Sequence, residues 1–330
     1  MIIRNFFMNT PIVLKLDNDT YFEMPLLKDY LADYEASLVE DSLENASAAI
    51  NEHFPSVIVT GSAFIGKDII NVGLRKSLRG IVKAGTGLDN VDVAYARSKG
   101  VVVANIPAYA AETVAEYAVT LMLSLVRKLW PLQRSLRLEG WVSATPACLG
   151  RELYRKTIGL IGFGQIARRV ARITHFGFEM PVLAYDPYVS AEEMAKVEVQ
   201  KVEELEQLLS QSDIVSIHTV LNSSTVNMIG AEQLSVMKPS ALLINVSRGG
   251  IIDEEALLMA LLEHQIGGAA LDVYSKEPLD ITTHPIISPM ASMENVLLSS
   301  HLAWYTVEAG ERLQKKVGQR CIDIIREKIR

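Results

Sequence analysis

Arg248, Glu277 and His301 are three residues whose side-chain types could do chemistry together. An Arg presents a fork of N–H donors that matches a carboxylate and stays charged. A His beside a carboxylate has its charged form favoured, so it can deliver a proton near neutral pH. Taken singly, a strand-end Arg is more often an ion-pair partner, a Glu before Pro is more often a solvated turn residue, and a lone His is more often structural. Their chemistry therefore depends on whether the fold brings them to one place.

A second group of candidates lies in TIGLIGFGQIARRVARITHFGFEMPVLAYD, residues 157–186. The order is an apolar strand, a glycine turn, a helix, a second apolar strand and an acid, as dinucleotide binding requires. Gly162 permits the tight turn, and Gly164 lets the backbone approach a pyrophosphate. The helix that opens with Gln165 and Ile166 would point free N–H groups at that charge.

The acid that closes this segment completes the pattern. Asp186 ends the second strand, where its carboxylate can accept hydrogen bonds from the ribose hydroxyls of an adenosine and would repel a 2′-phosphate. Ala167 stands at the third glycine position and is small enough for close packing of helix on strand. The segment therefore predicts NAD as the cofactor, against the alternative of an ordinary strand–turn–helix with incidental glycines.

The elements that position these candidates alternate between short apolar runs and amphipathic segments, which favours parallel sheets with helices on both faces. Ligands of open α/β sheets bind at the carboxyl ends of strands, so polar residues that follow predicted strands are site candidates. Arg248, Glu277 and His301 all follow strands and are expected at one sheet edge. The strands are predicted at Ile12–Leu16, Val57–Thr60, Gly80–Ala84, Val101–Ala104, Ile158–Ile161, Val182–Tyr185, Ile214–His218, Leu242–Val246, Ala269–Val273 and Val296–Ser299.

The alternation restarts near residue 157 and predicts two α/β units. The last amphipathic segment, residues 307–329, is expected to return as a helix onto the first unit. The predicted fold class is α/β, with two Rossmann-like doubly wound parallel-sheet domains. Residues 1–110 and 302–330 would form a discontinuous, flavodoxin-like substrate-binding domain, and residues 111–301 the NAD-binding domain.

Composition excludes several function classes. The 330 residues include 32 basic and 39 acidic ones with no basic stripe, so nucleic acid is not an expected partner. The longest apolar stretch, residues 117–126, is too short to cross a membrane. Cys148 and Cys321 lack metal or redox spacing, so we expect no metal and a reducing compartment. No signal peptide is recognised, which predicts a cytoplasmic location, with Met8 as an alternative start to Met1.

The segment of residues 112–127 is apolar nearly all round, which is typical of a buried helix. We expect burial between two subunits of a homodimer, with residues 130–141 reaching across to the partner. Burial between the two domains of one chain is the alternative. The stretch of residues 130–155 is predicted to be a loop with short helices.

Several motifs between about residue 80 and residue 305 resemble those of the D-isomer-specific 2-hydroxyacid dehydrogenases. This family includes D-3-phosphoglycerate dehydrogenases, glyoxylate/hydroxypyruvate reductases, D-lactate dehydrogenases and C-terminal-binding proteins. In it an Arg of an RGG stretch, a Glu of an xEP stretch and a His near the C-terminus are catalytic. The resemblance puts these roles on Arg248, Glu277 and His301. The motifs are VKAGTGLDNVDVAYARSKGVVVANIP followed by VAE, then LIGFGQIA, SIHTVLN, INVSRGGIIDEEAL and AALDVYSKEPL.

The resemblance also implies further contacts. Thr86 and Gly87 would lie at the substrate and the nicotinamide, and Asp272 would meet the nicotinamide carboxamide. The residues implied to line the cofactor cleft are Thr219, Val246 and Ser247.

The segment after His301 resembles the HAAWY sequence of C-terminal-binding proteins. If a helix starts at His301, Trp304 returns to the same face. It would then contact cofactor and substrate and narrow the pocket around an apolar substrate tail. The alternative is that Trp304 packs in the core or at the domain junction.

Together these features predict an NAD-dependent oxidoreductase that transfers hydride between NADH and a 2-oxo acid or D-2-hydroxy acid. Arg248 would bind the substrate carboxylate and carbonyl, and His301 with Glu277 would form the acid/base pair. The alternative is an NADH-responsive, C-terminal-binding-protein-like interaction protein with weak dehydrogenase activity. Formate dehydrogenase is disfavoured, because that relative has Gln at the position of Glu277. The first 75 residues match nothing specific, so the individual acid is not predicted.

Overall fold

The computed structural model describes residues 10–17 and 24–329. The chain forms two compact units, one of residues 1–110 with residues 306–330 and one of residues 111–305. The choice between the two possible start methionines lies outside the described residues.

The chain passes from the second unit back to the first after residue 305 rather than after the predicted residue 301. The reason is a pair of hydrogen bonds. The N–H groups of Leu302 and Ala303 donate to the Asp272 carboxylate at 3.0 and 2.9 Å, which keeps this segment with the second unit.

The first unit contains a parallel sheet with the strand order β2-β1-β3-β4-β5 among its described residues. This is the doubly wound order of flavodoxin-like folds. The central strand β3 is buried along its whole length, because helices cover both faces of such a sheet. The strands are β1 (Ile12–Asp17), β2 (Ser37–Ser42), β3 (Val57–Thr60), β4 (Gly80–Lys83) and β5 (Val102–Ala104).

The edge strand β2 is a difference from the sequence-based prediction. Its sequence SLVEDS has no apolar run, and none of its residues is buried. It is paired with β1 over six residues, from Ile12 opposite Ser37 to Asp17 opposite Ser42. An edge strand outside the core needs backbone hydrogen bonds but no apolar side chains, so composition gave no signal for it.

The final helix belongs to the first unit, as predicted. It packs against α1, β3 and β4, and its Gln314 side chain is buried. Gln314 Oε1 accepts the N–H groups of Leu26 and Leu27 at 3.0 and 3.3 Å, which satisfies the start of α1, where no N-cap side chain does so. The helices of this unit are α1 (Pro25–Ala32), α2 (Ala46–His53), α3 (Lys67–Leu74), α4 (Val93–Ser98) and the final helix α13 (Val307–Ile325).

The second unit, residues 111–305, is described throughout and has a seven-stranded parallel sheet. Its order is β12-β11-β10-β9-β6-β7-β8, which contains the Rossmann order of two βαβαβ halves that meet at β6 and β9. The four central strands are wholly buried. The strands are β6 (Ile158–Ile161), β7 (Val182–Tyr185), β8 (Gln200–Lys201), β9 (Ile214–Ile217), β10 (Leu242–Asn245), β11 (Gly268–Leu271) and β12 (Val296–Leu298). The predicted class of two doubly wound parallel-sheet domains is confirmed.

Two helices begin the second unit. The first, α5 (Ala111–Val126), packs on α7 (Gln165–Phe178), β10, β11 and β12. Ten of its sixteen residues are buried. The second, α6, was predicted as part of a loop with short helices, yet it has eleven residues, none of them buried. Among the described residues no helix is both long and apolar enough to span a bilayer. The helices are α5 (Ala111–Val126), α6 (Leu129–Glu139), α7 (Gln165–Phe178), α8 (Ala191–Ala195), α9 (Leu205–Gln211), α10 (Ala231–Ser235), α11 (Glu254–Leu262) and α12 (Ile287–Ala291), with 3₁₀ turns at Pro146–Cys148 and Gly249–Ile251.

Candidate active site

The turn between β6 and α7 requires a glycine at position 162. Gly162 has a φ of +87°, in the left-handed region that other residues rarely adopt. A Cβ there would lie 2.7 Å from the backbone nitrogen of Thr219 and 2.9 Å from the carbonyl carbon of His218. The glycine therefore lets the chain that leaves β9 pass directly against the turn.

The amino-terminal end of α7 is formed by backbone without a capping side chain. Gly164 is the N-cap residue, and a Cβ added to it would meet no atom within 4 Å. Gly164 and Gln165 are exposed, and Ile166 is half-buried. Free N–H groups, the positive end of the helix dipole and an approachable backbone are what a pyrophosphate needs.

The Asp186 carboxylate closes β7 and also holds the glycine turn. Its Oδ2 accepts the N–H of Phe163 at 2.8 Å, and its Oδ1 accepts the N–H of Tyr188 at 2.8 Å. Each oxygen keeps a second lone pair for another donor. The carboxylate is therefore fixed in orientation and can still accept from a hydroxyl; its contact with a ribose stays a prediction.

Arg248 follows β10 in the arginine loop (residues 246–249), which a buried amide shapes. Asn245 is fully buried; its Oδ1 accepts the N–H of Ser247 at 3.0 Å, and its Nδ2 donates to the carbonyl of Arg248 at 2.9 Å. The Ser247 hydroxyl donates to the carbonyl of Thr219. The predicted cofactor-cleft residues that lie together here are Thr219, Val246 and Ser247.

Gly249 brings the arginine loop against the acid loop (residues 274–277). A Cβ at Gly249 would lie 1.8 Å from the carbonyl carbon and 2.2 Å from the carbonyl oxygen of Tyr274, a distance at which no side chain fits. The glycine after Arg248 therefore serves a close approach of two backbones.

The acid loop and the histidine loop (residues 299–303) meet in the predicted acid/base pair. His301 Nδ1 lies 2.6 Å from Glu277 Oε2, and Glu277 Oε1 accepts the N–H of Tyr274 at 2.8 Å. The His301 side chain is 40 % exposed. Because Nδ1 is engaged by the carboxylate, Nε2 is the ring nitrogen available to another molecule.

The charge state of Glu277 follows from these contacts. Burial raises the pKa of this carboxyl, but the hydrogen bond and charge of His301, the Tyr274 N–H and the Arg248 charge outweigh it. The pKa of Glu277 therefore lies below its usual value, and the group is a carboxylate at neutral pH. The lowering by Arg248 also links the third candidate electrostatically to the pair.

Asp272, which follows β11, fixes the histidine loop. Its side chain is fully buried and accepts the Ser299 hydroxyl at 2.6 Å, with the N–H groups of Leu302 and Ala303 at 3.0 and 2.9 Å. Its carbonyl accepts the N–H of His301 at 2.7 Å. His301 has a φ of +57°, which is uncommon for a residue with a side chain. These four bonds hold it there; the contact of Asp272 with a nicotinamide carboxamide stays a prediction.

Trp304 does not lie in a helix that starts at His301. Residues 303–304 form a turn, Thr306 is the N-cap of α13, and that helix begins at Val307. The spacing used to place Trp304 on the face of His301 was therefore wrong, because a right-handed helix cannot start at a residue with a φ of +57°. Trp304 is half-buried and its ring stacks edge to face on Tyr305 at 5.1 Å. Its contact with substrate or cofactor stays a prediction.

His218, at the end of β9, is a histidine of a different kind. Burial lowers its pKa to about 3, so the imidazole is neutral. Its Nε2 lies 3.0 Å from the Ser216 hydroxyl, and its buried Nδ1 has no hydrogen-bond partner among the described residues. This ring cannot supply a proton at neutral pH, which agrees with its omission from the predicted acid/base set.

Thr86 and Gly87 lie in the first unit, after the carboxyl end of β4. Thr86 is exposed; its hydroxyl donates to the carbonyl of Ile106 at 3.3 Å, and its carbonyl accepts from the Asn105 side chain at 2.6 Å. The strand end at which they lie is the edge where doubly wound sheets bind ligands.

Sequence reasoning missed the residues that hold these loops in place. The buried polar Asn245 inside an apolar strand was a signal that could have been used. Glu254 gave none, because an acid in the first turn of a helix is ordinary. The supporting residues are Asn245, Glu254, Tyr274, Ser275 and Ser299.

Comparison with curated proteins gives relatives over most of the chain. A D-3-phosphoglycerate dehydrogenase of Synechocystis sp. is 36 % identical over 82 % of this chain and 47 % of its own length. A hydroxypyruvate reductase of Thermotoga maritima is 37 % identical over 82 % of this chain and 83 % of its own length. The chain spans about half the length of several relatives that it matches, the phosphoglycerate dehydrogenases.

Solved structures and a family model agree with these relatives. The D-lactate dehydrogenase of Aquifex aeolicus, solved with NAD and lactic acid, has a TM-score of 0.83 and 27 % identity, covering 96 % of both chains. The model of the NAD binding domain of the D-isomer specific 2-hydroxyacid dehydrogenases matches residues 119–303. The resemblance predicted from the motifs, including NAD as cofactor, is confirmed: the chain belongs to the D-isomer specific 2-hydroxyacid dehydrogenase family.

Proposed function

We propose that this protein is an NAD-dependent D-2-hydroxyacid dehydrogenase, which interconverts a 2-oxo acid and the D-2-hydroxy acid. The observation that carries the proposal is the 2.6 Å contact of His301 Nδ1 with Glu277 Oε2 at the carboxyl edge of the NAD-binding sheet. A structural histidine does not need a partner carboxylate at a ligand-binding edge, whereas an acid–base catalyst does.

The chain's own groups fit the cofactor. Gly164, Gln165 and Ile166 would hold the pyrophosphate through backbone N–H groups, and Asp186 the adenosine ribose. When bound, NADH supplies the hydride. Because the Asp186 carboxylate would repel a 2′-phosphate, we expect NADH to be preferred over NADPH by at least about tenfold in kcat/KM. Equal efficiency with both cofactors would refute this assignment.

Arg248 and His301 would act on the substrate. The guanidinium of Arg248 would pair with the substrate carboxylate and draw electron density towards the carbonyl oxygen. His301 would give the proton on Nε2 to that oxygen as the carbonyl becomes a hydroxyl, and would take it back in the oxidation. Glu277 would keep Nδ1 protonated and the ring oriented, since its lowered pKa keeps it a carboxylate.

The remaining site roles are part of the proposal. Thr86, Gly87 and Trp304 would contact the substrate, as the family resemblance implies. The residues proposed to line the cofactor cleft beside them are Thr86, Thr219, Val246, Ser247, Arg248, Asp272, His301 and Trp304.

The proposal is tested by NADH consumption with a panel of 2-oxo acids such as glyoxylate, hydroxypyruvate and pyruvate. We expect at least one acid to be reduced, and the Glu255→Ala variant, altered at an exposed acid outside the site, to match the wild type. The interaction-protein alternative instead predicts that NADH binds while every acid is reduced only marginally. That result would overturn the proposed activity.

We propose that the protein is a homodimer. The supporting surface is not the apolar segment of residues 112–127 from which the sequence predicted it. Ten of the sixteen residues of α5 are already buried in the single chain, so this helix does not require a partner subunit to cover it. The apolar surface lies instead on α6 and after it: Trp130 is 53 %, Leu138 72 % and Trp141 89 % exposed. Exposed large apolar side chains close together in sequence are typical of a protein interface, and a second copy is the occupant expected from the family.

Light scattering at micromolar concentration tests the dimer. We expect twice the monomer mass for the wild type and monomer mass for Leu138→Glu, because a charge is placed in the apolar patch. A matched Leu262→Glu change, at an exposed leucine of α11, should leave the dimer intact. A monomeric wild type would contradict the proposal.

We propose a cytoplasmic location, since both cysteines are free and the family's cofactor is a cytoplasmic metabolite. Cell fractionation of the tagged protein tests it, and recovery in a membrane or secreted fraction would contradict it.

A further inference from the structure

The acid loop is held by a second carboxylate that the chemistry above does not use. Glu254 is the first residue of α11, and it is only 7 % exposed. Its Oε1 accepts the N–H of Ser275 at 2.7 Å, and its Oε2 accepts the Ser275 hydroxyl at 2.6 Å. One carboxylate thus fixes both the backbone and the side chain of a single loop residue.

Helix capping does not explain this buried acid. The preceding residue, Asp253, is the N-cap of α11, and its side chain accepts the N–H of Ala256 at 3.0 Å. The following residue, Glu255, is exposed. Burial of a carboxylate costs free energy unless hydrogen bonds compensate for it, so the two bonds to Ser275 are the feature that accounts for Glu254.

Ser275 lies in the acid loop, which contacts both the histidine loop and the arginine loop. The N–H of its neighbour Tyr274 donates to Glu277, and the Tyr274 hydroxyl donates to the carbonyl of Ser299 in the histidine loop at 2.9 Å. The Tyr274 carbonyl is also the group against which Gly249 fits. A displacement of Ser275 would therefore move Glu277 relative to His301.

We propose that Glu254 is a positioning residue for the acid–base pair: it anchors Ser275 so that the acid loop presents Glu277 to His301. The inference rests on the proposed function for its kinetic consequence, but the geometry it describes can be measured separately. Glu254 acts through the loop and contacts neither substrate nor cofactor in this scheme.

The first test measures the pair itself by NMR, without turnover. The Nδ1–H proton of His301, held in a short hydrogen bond, should give a downfield resonance. We expect Glu254→Ala to move it upfield or broaden it by exchange, and Glu255→Ala, the adjacent exposed acid, to leave it unchanged. An unchanged resonance in Glu254→Ala would overturn the inference even if the protein proves to have no dehydrogenase activity.

The second test is kinetic. We expect Glu254→Ala to lower kcat about 10- to 100-fold, because a displacement of about 1 Å in a catalytic group has costs of this order. The KM for NADH should stay within about twofold, since the glycine turn is untouched. In a His301→Gln background, Glu254→Ala should have little further effect, because a residue that acts through His301 has nothing left to position. Equal losses in both backgrounds would overturn the inference.

Two milder variants keep the test decisive if Glu254→Ala does not fold. Glu254→Gln retains an acceptor for the Ser275 N–H and a donor to its hydroxyl, so we expect nearly normal kcat. Ser275→Ala removes one of the two bonds, and we expect a loss of about three- to tenfold. Wild-type kcat and an unmoved His301 resonance in Ser275→Ala would count against the proposal. Failure of the wild type to reduce any acid would instead refute the proposed function.

Discussion

The carboxyl edge of the second unit has two halves that are built in different ways. Around β6 and β7, the Asp186 carboxylate holds the turn within a single βαβ segment, and Gly162 lets the chain after β9 pass against it. Around β10, β11 and β12, hydrogen bonds between distant residues join the acid loop to the histidine loop, and Gly249 packs the arginine loop against the acid loop. The Glu277–His301 contact spans 24 positions and the Asp272–Ser299 contact 27.

The difference has a functional meaning. The glycine half presents mainly backbone, with the Asp186 carboxylate fixed beside it, so it suits a ligand that is only held. The second half brings charged and ionisable side chains into contact, so it suits bond making and proton transfer. Changes in the first half should therefore alter cofactor affinity, and changes in the second half should alter turnover.

Arg248→Lys should produce the largest difference between the two effects, a loss of turnover and a change in NADH affinity. A Lys keeps the charge but cannot form the bidentate fork, and loss of such a charge-stabilising contact lowers turnover on the order of 100- to 1,000-fold. The dissociation constant of NADH, measured by fluorescence titration, should change little. Nearly normal kcat in the Lys variant would remove Arg248 from the proposed chemistry.

Asp272→Asn should come next. The Asp272 carboxylate accepts three hydrogen bonds, from the Ser299 hydroxyl and from the N–H groups of Leu302 and Ala303. The NH₂ group of an Asn would face one of these donors and could not accept from it, so the histidine loop must shift. We expect kcat to fall about 10- to 100-fold with the KM for NADH nearly unchanged. A rise in that KM with kcat preserved would favour the nicotinamide contact over the loop-holding role.

The glycine half can be divided by a matched pair of substitutions. Gly162→Ala places a Cβ 2.7 Å from Thr219 at a left-handed φ, so it should destabilise the unit by about 1–3 kcal/mol. Gly164→Ala meets no protein atom and should leave the melting temperature unchanged, while NADH affinity falls about tenfold. Equal stability of both variants, or unchanged NADH binding in Gly164→Ala, would contradict the assigned roles.

Glu277→Gln should show the smallest effect in stability. The pKa of Glu277 is lower in the folded protein than in the unfolded chain, where it is about 4.3. The ionised carboxylate therefore stabilises the folded protein above pH 4.3, and this stabilisation is lost as the pH falls through the folded-state pKa. The partly exposed pair should contribute about 1 kcal/mol or less at pH 6. The melting-temperature difference from wild type should thus shrink below pH 4.3. A difference that grows on acidification would contradict the pairing.

Most of the fold and of the glycine half could be predicted from the sequence, because both depend on local patterns. Buried strands gave apolar runs, and Gly162 and Asp186 sit at fixed offsets from them. The bounds of strands differ by one or two residues, and β2 escaped detection because an edge strand needs no apolar residues. The unpredicted α6 likewise lacks a buried face that would give it a clear pattern.

The half around β10, β11 and β12 was predictable only in part. Because Glu277 and His301 both follow predicted strands, the sequence placed them at one edge of the sheet. It did not identify the residues that hold their side chains in orientation. His301 has a left-handed φ of +57° and the final helix begins only at Val307, so the helical spacing used for Trp304 was wrong, while its contact with a ligand stays a prediction. The long-range hydrogen bonds between the acid loop and the histidine loop leave no periodic trace in the sequence.

Replacement of His301 by Gln tests most directly whether one half of the sheet edge binds the cofactor while the other half performs the chemistry. The measurement is the single-turnover rate of NADH oxidation by the preferred 2-oxo acid, together with the dissociation constant of NADH in the same samples. We expect a rate at least about 100-fold below wild type, with NADH affinity within about twofold. A rate close to wild type, or a loss of NADH binding as large as the loss of rate, would contradict it.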